Sequence, residues 1–198
     1  MKKFKAFFVL ITIFSVILVG CSNSDFQADH HYEVKDFTYT NQDNEKVSLN
    51  DLKGKVWIAD FVFTKCETVC PPMTYNLTQL QEKLKEEGVE DYQFVSFSVD
   101  PETDKPEVLK EFIGGYEADE SKWDLLTGYE LDEIADLAEH SFKTIVADDP
   151  KSDQMIHGTS FYLVNQKGEV VKSYSGNSDV PFDLIIEDMK TLIKEGNK

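Results

Sequence analysis

Cysteine is scarce in this chain: three residues in 198, at positions 21, 66 and 70. Cys66 and Cys70 stand so close in sequence that a disulfide between them would restrict little chain entropy, so stability is a poor reason for the pair. Basic charge is scarce as well. The 20 Lys and Arg face 37 Asp and Glu, a formal net charge of −17, which argues against nucleic acid and against an anionic bilayer as direct ligands. A solvated acidic surface keeps a protein soluble and names no function by itself. The mostly apolar run from Ala6 to Gly20 falls short of the ~20 residues that a membrane-spanning helix needs. No repeat or low-complexity tract is present.

Lys2, Lys3 and Lys5 precede that apolar run, a pattern that reads as an export signal. The run ends Leu18-Val-Gly-Cys21, which resembles the lipobox of bacterial lipoproteins, where cleavage before the cysteine leaves a thiol that is lipidated. The expected organisation is a lipoprotein signal peptide over 1–20, a tether over 21–31 that starts at the lipidated Cys21, and one folded domain over 32–198 on the extracytoplasmic face of the cell membrane. With Cys21 set aside as an anchor, Cys66 and Cys70 have only each other or a ligand as partners.

Along the domain, Tyr32 to Tyr39 partly alternates and is followed by the turn-rich Asn41 to Asn44 and by Lys46 to Leu49, which predicts an N-terminal β-hairpin. Asp51 to Gly54 turns into a buried strand, Val56 to Phe63. The cysteine pair follows, then a helix from about Met73 to Glu87 with Met73, Leu77, Leu80 and Leu84 on one side. A strand at Tyr92 to Val99 leads to a helix whose start is signalled by Asp104, Pro106 and Glu107, a capping-box-like pattern with proline in the first turn. Trp123 to Leu126 reads as a short strand ended by Gly128, and Leu131 to Phe142 as a helix. Ala147 to Met155 is polar and acidic, contains Pro150 and has no apolar period; it predicts a mobile loop that delivers His157. Strands at Thr159 to Val164 and Val170 to Tyr174 flank the turn Asn165 to Gly168, and Pro181 to Lys194 forms the last helix.

A βαβα run with a ββα ending, and two cysteines opening the first long helix, is similar to the thioredoxin fold: α/β, with a central mixed sheet flanked by helices. Thioredoxin-like oxidoreductases commonly use Cys-x-x-Cys and a cis-proline before the strand that opens the closing hairpin. Here the cysteines are one residue further apart, and the corresponding stretch is His157-Gly-Thr-Ser-Phe161, without proline. Cysteines at i and i+4 share one helical face, at the strand exit where α/β folds place their chemistry. Two thiolates and an imidazole make a three-donor set suited to Cu(I), able to hold Cu(II) and compatible with Zn²⁺. Met73 is in phase with the helix core rather than with the donors. Asp100, at a strand's C-terminal edge, either supports the site or caps the next turn. His30 and His31 adjoin the tether and His140 sits near a helix end; all three are left out of the ligand set.

Taken together with the Phe63-Thr-Lys-Cys-Glu-Thr-Val-Cys-Pro-Pro-Met73 loop, Ser98-Val-Asp-Pro101 and Trp123-Asp-Leu-Leu-Thr-Gly128, the donor set closely resembles the Sco/SenC family, from about Tyr32 to the C-terminus. The resemblance implies one copper ion per chain, Cu(I) or Cu(II), held by Cys66, Cys70 and His157. It also implies a role in assembling cytochrome c oxidase: delivering copper to the CuA centre of oxidase subunit II, or keeping the CuA-site cysteines reduced. Many family members carry Asp-Pro-x-Arg-Asp where this chain reads Asp100-Pro-Glu-Thr-Asp104, so no role of that arginine carries over to Thr103. On the residues alone, a copper-free thiol-disulfide oxidoreductase, for which His157 is dispensable, stays open beside a zinc-binding or structural module. The peroxiredoxin pattern Thr-x-x-Cys is absent, because Phe63 and Glu67 stand three before the two cysteines. Copper exchange rather than catalytic turnover is the expected task, with oxidation of the pair removing two donors and expelling the ion.

Overall fold

The computed structural model describes residues 26–196; the expected signal segment and Cys21 lie outside the described residues. In chain order the elements are β1 (Tyr32–Glu33), β2 (Thr38–Thr40), β3 (Lys46–Ser48), α1 (Leu49–Leu52), β4 (Val56–Val62), α2 (Cys70–Glu86), β5 (Tyr92–Ser98) and α3 (Pro106–Gly114). Then follow β6 (Trp123–Leu126), α4 (Leu131–Leu137), β7 (Ala147–Asp148), β8 (Met155–Ile156), β9 (Ser160–Val164), β10 (Glu169–Ser175) and α5 (Phe182–Gly196).

The main sheet has the order β1-β10-β9-β4-β5-β6. Strands β4, β5 and β6 are parallel, while β9 runs antiparallel to β4 and β10 to β9. Every residue of β4 is buried, as expected of a central strand covered on both faces. Its side chains alternate between two cores: Trp57, Ala59 and Phe61 face one, Val56 and Ile58 the other. The first is closed by the β2-β3 hairpin and by Ile134 and Leu137 of α4. The second is closed by α2, α3 and α5 through Met73, Leu77, Leu80, Leu109, Ile113, Ile185 and Met189. Each fully buried aromatic or aliphatic side chain contributes roughly 1.5–3 kcal/mol, which makes this two-sided packing the main source of rigidity beneath the strand ends. The α/β, thioredoxin-like arrangement expected from the sequence is the one found.

Three local expectations are corrected. The N-terminal hairpin is confined to β2 and β3, with Thr38 opposite Ser48, whereas Tyr32 pairs with Val170 of β10. An exposed edge on the closing hairpin is thereby covered. The preceding segment follows the same edge: Asp29 and His30 donate backbone N–H bonds to the Val171 carbonyl, and Phe26 is buried under the Lys172 ammonium. Next, 147–155 is not an irregular loop throughout but the two-stranded ribbon β7-β8 with its tip. Asp149 replaces the missing apolar period there by accepting bonds from Lys151 N (3.0 Å) and Ser152 Oγ (2.7 Å). Finally, Asp104 does not cap α3. That helix starts at Pro106 after Lys105, with no side-chain cap, and Asp104 turns inward.

Candidate metal centre

Beyond β4 the chain leaves regular structure at Phe63 and regains it at Cys70, the first residue of α2. Pro71 and Pro72 suit a helical first turn, where an N–H would have no partner inside the helix. The N–H groups that remain at this terminus turn to sulfur: Cys70 N donates to Cys66 Sγ at 3.3 Å, and Thr68 and Val69 add backbone bonds to the same atom. Burial pushes the Cys66 thiol up, yet these N–H groups outweigh it and hold Cys66 below its ordinary value. Cys70 is raised far above the ordinary thiol range by burial, reinforced by the neighbouring Cys66 sulfur and the charge of Asp60; a bond from the Phe63 backbone offsets only part of this. The pair is therefore asymmetric. Cys66 is the more acidic member and Cys70 the less acidic one, and neither is in a disulfide.

His157 follows β8 directly and faces the pair from the opposite side, with Nε2 3.4 Å from Cys70 Sγ. Its Nδ1 lies 2.9 Å from the Gly158 carbonyl, a pure acceptor, so Nδ1 carries the hydrogen and the neutral ring presents the Nε2 lone pair to the sulfurs. Burial lowers its pKa and the Gly158 carbonyl partly opposes that shift, which favours the neutral, ligating form. The Phe63 ring stands edge-on to the imidazole at 5.8 Å. One ligand atom from each of Cys66, Cys70 and His157 falls within 4.8 Å of the others, and among the described residues this is the one such group of three. Donors sharing an ion through bonds of roughly 2.0–2.3 Å lie about 3.5–4 Å apart, so the set fits a soft ion after a small contraction.

The structure brings all three sequence-predicted donors together, and among the described residues His30, His31 and His140 are not part of the group. His30 stacks on Tyr32, His140 is exposed beside Asp136, and Met73 is buried in the core. Asp100 caps its own turn, accepting from Thr103 N at 3.2 Å. Three residues around the site were missed by the sequence reading. A Cβ built on Gly158 would meet Thr144 Oγ1 well inside contact distance and Tyr162 OH at 3.1 Å, so any side chain there would force a shift next to His157. Asp60, fully buried on β4, accepts from Ser96 Oγ at 2.5 Å, and burial raises its carboxyl to about 7. Asp104 is bonded to Thr64 of the cysteine loop.

A thioredoxin-like domain that sets two thiols of unequal acidity against one imidazole carries the donor set of a soft-metal site. The SCO1/SenC family model matches residues 26–194, and the chain belongs to that family. It is 49% identical over 176 residues to the SCO1 protein homolog of Bacillus subtilis, covering 89% of this chain and 91% of that one. A SCO1/SenC family lipoprotein from Bacillus anthracis superposes with a TM-score of 0.79 at 52% identity, covering 82% of this chain and 95% of the other. BsSco, described with a disulfide switch and as a member of the Sco family of cytochrome c oxidase assembly proteins, gives 0.78 at 51% identity over 84% and 98%. Copper-bound Arabidopsis thaliana ScoI gives 0.68 at 27% identity over 79% and 97%.

Proposed function

We propose that this protein is a copper-binding assembly factor for cytochrome c oxidase, which holds one copper ion with Cys66, Cys70 and His157 and passes it to the CuA centre of oxidase subunit II. The observation that carries the reading is the convergence of the three donor atoms within 4.8 Å, with the His157 lone pair already turned to the sulfurs. Copper in Arabidopsis ScoI and oxidase assembly in the description of BsSco support it. The copper is cargo. Cys66, the more acidic thiol, takes it first; Cys70 gives up its proton on ligation, and His157 Nε2 adds the third bond. Oxidation of the two coordinated thiolates to a disulfide, with two electrons passing to an oxidant, removes both sulfur donors and releases the ion.

In this reading residues 1–20 are the signal peptide, Cys21 bears the lipid, and the domain works on the extracytoplasmic face of the membrane; the lipoprotein description of the Bacillus anthracis relative supports the anchor. A second reading has its own observation. The low Cys66 and high Cys70 are what a disulfide exchanger uses as attacking and resolving thiols, so the protein could keep the CuA cysteines reduced. Titrating copper into the reduced domain lacking residues 1–21, with optical and EPR detection, tests the first reading. The expected result is one tight equivalent, greatly weakened in His157→Ala and absent after oxidation. Copper held no better than by a cysteine-free variant, while the pair still exchanges disulfides, would leave thiol reduction as the function.

A further inference from the structure

Between Phe63 and Val69 the cysteine loop has no regular structure, so its position depends on a few ties. The strongest converge on Asp104, which is 0% exposed. Oδ1 accepts from Thr64 Oγ1 at 2.6 Å, Oδ2 accepts from Ser98 Oγ at 2.6 Å, and both oxygens lie 3.3 Å from Thr64 N. Thr64 precedes Cys66 by two residues; Ser98 ends β5. We infer that Asp104 is a positioning residue for the metal site, its carboxylate strapping the start of the cysteine loop to the end of β5 and so setting where Cys66 stands against Cys70 and His157.

The alternative duty for an Asp just before a helical proline, capping α3, is unfilled, because Lys105 holds the cap position. A buried carboxylate that meets only hydroxyls and an N–H is costly to desolvate, and a turn needs no such group merely to end. The strap also reaches the histidine side. Lys65, next to Thr64, donates from Nζ to Thr103 Oγ1 at 3.3 Å and accepts at its carbonyl from Gln154 Nε2 at 3.5 Å, and Gln154 lies three residues before His157. Residues 64 and 65 are thus the point where the turn at 103–104, the cysteine loop and the ribbon are tied together.

The test uses the domain lacking residues 1–21 and two readouts, one of them free of metal. The first is the equilibrium of the Cys66/Cys70 pair against oxidised and reduced glutathione, in which two thiols give two electrons and two protons to one glutathione disulfide. The second, which rests on the copper reading, is the thiolate-to-Cu(II) charge-transfer spectrum. Losing charge-assisted bonds in a buried site predicts a shift of about tenfold or more in the glutathione equilibrium of Asp104→Ala, together with an altered spectrum. Thr64→Val should move both in the same direction, and the double variant should be little worse than Asp104→Ala, because both changes cut one strap. Asp104→Asn, able to accept from Thr64 and donate to Ser98, should recover most of the effect. As a control, Asp188→Asn removes a buried acid on α5 bonded to Lys172 and Tyr174 of β10 rather than to the loop, and should cost stability with neither readout changed. The inference is overturned if Asp104→Ala lowers only the melting temperature, if the double variant is fully additive, or if Asp188→Asn shifts the glutathione equilibrium equally. Failure of the wild-type domain to bind copper would sink the copper reading and leave the glutathione arm to decide this one.

Discussion

The two halves of the metal site are built differently. Cys66 and Cys70 sit where the buried strand β4 meets the first turn of a long helix; Cys70 is wholly buried, and both side chains belong to the main hydrophobic core. His157 rides at the end of a ribbon of two-residue strands, with Ile156 beside it 46% exposed and Met155 only half buried. Core packing fixes Cys70 and, with the Asp104 ties to the loop, Cys66, whereas a carbonyl, an aromatic edge and one thin ribbon fix the histidine. The copper-carrier role proposed above would be served by this contrast: two donors held as part of the fold, and a third whose displacement leaves the fold intact.

The contrast is broken most forcefully by exchanging the losses. Cys70→Ser should weaken copper binding by more than about 100-fold, beyond the 10–100-fold typical of losing an outer partner, and should also lower the melting temperature, since the smaller oxygen underfills a wholly buried place shaped for sulfur. His157→Ala should abolish tight binding with almost no change in melting temperature. Copper titration beside thermal unfolding reads both, and an equal loss of stability in the two variants would show that the histidine half is as integral to the core as the cysteines.

Gly158→Ala probes the histidine half alone. Its Cβ would meet Thr144 Oγ1 well inside contact distance and Tyr162 OH at 3.1 Å, so the turn that orients His157 must move. Copper affinity should fall about tenfold, on the scale of a misplaced ligand, while the Cys66/Cys70 disulfide equilibrium stays put. Adding Thr144→Ala, which removes the obstructing hydroxyl, should restore most of the affinity. No rescue would mean that Gly158 acts through backbone freedom rather than through space.

The two halves also differed in how readable they were. Cys70 and the strand and helix around it follow from local pattern, an apolar run of strand length and prolines in the first turn, whereas Cys66 lies in the irregular loop before the helix and meets Cys70 through the Cys70 N–H on its sulfur rather than through helical spacing. His157 was found because it occupies the place of an expected proline. The ribbon carrying it was not found, since two-residue strands have no period to detect and their order comes from Asp149 bonding its own turn. Asp104 was read as a cap because aspartate before proline serves capping and long-range bonding alike, and only the fold shows Thr64 across a gap of 40 residues. The pairing of Tyr32 with Val170 was hidden for the same reason, as was the clash that reserves position 158 for glycine.

The smallest expected effect concerns pH, and it also separates the halves. Beneath the cysteines, Asp60 has its carboxyl raised by burial from 3.8 to about 7, with the Ser96 bond opposing. Between those values the folded protein keeps a proton that the unfolded chain has shed, so stability falls as pH rises through this window and the loss is complete above about 7. His157 has the opposite sign: burial depresses its pKa below 6.5, so the unfolded chain takes up the proton first and stability falls as pH drops below that value. Asp60→Asn should therefore raise the melting temperature at pH 8 more than at pH 5, and His157→Ala should flatten only the acid side. Thermal unfolding of the metal-free reduced domain across that range checks both. An equal gain for Asp60→Asn at the two pH values would mean that Asp60 is ionised in the fold at pH 5, and that the cysteine half rests on a buried charge rather than on a buried acid.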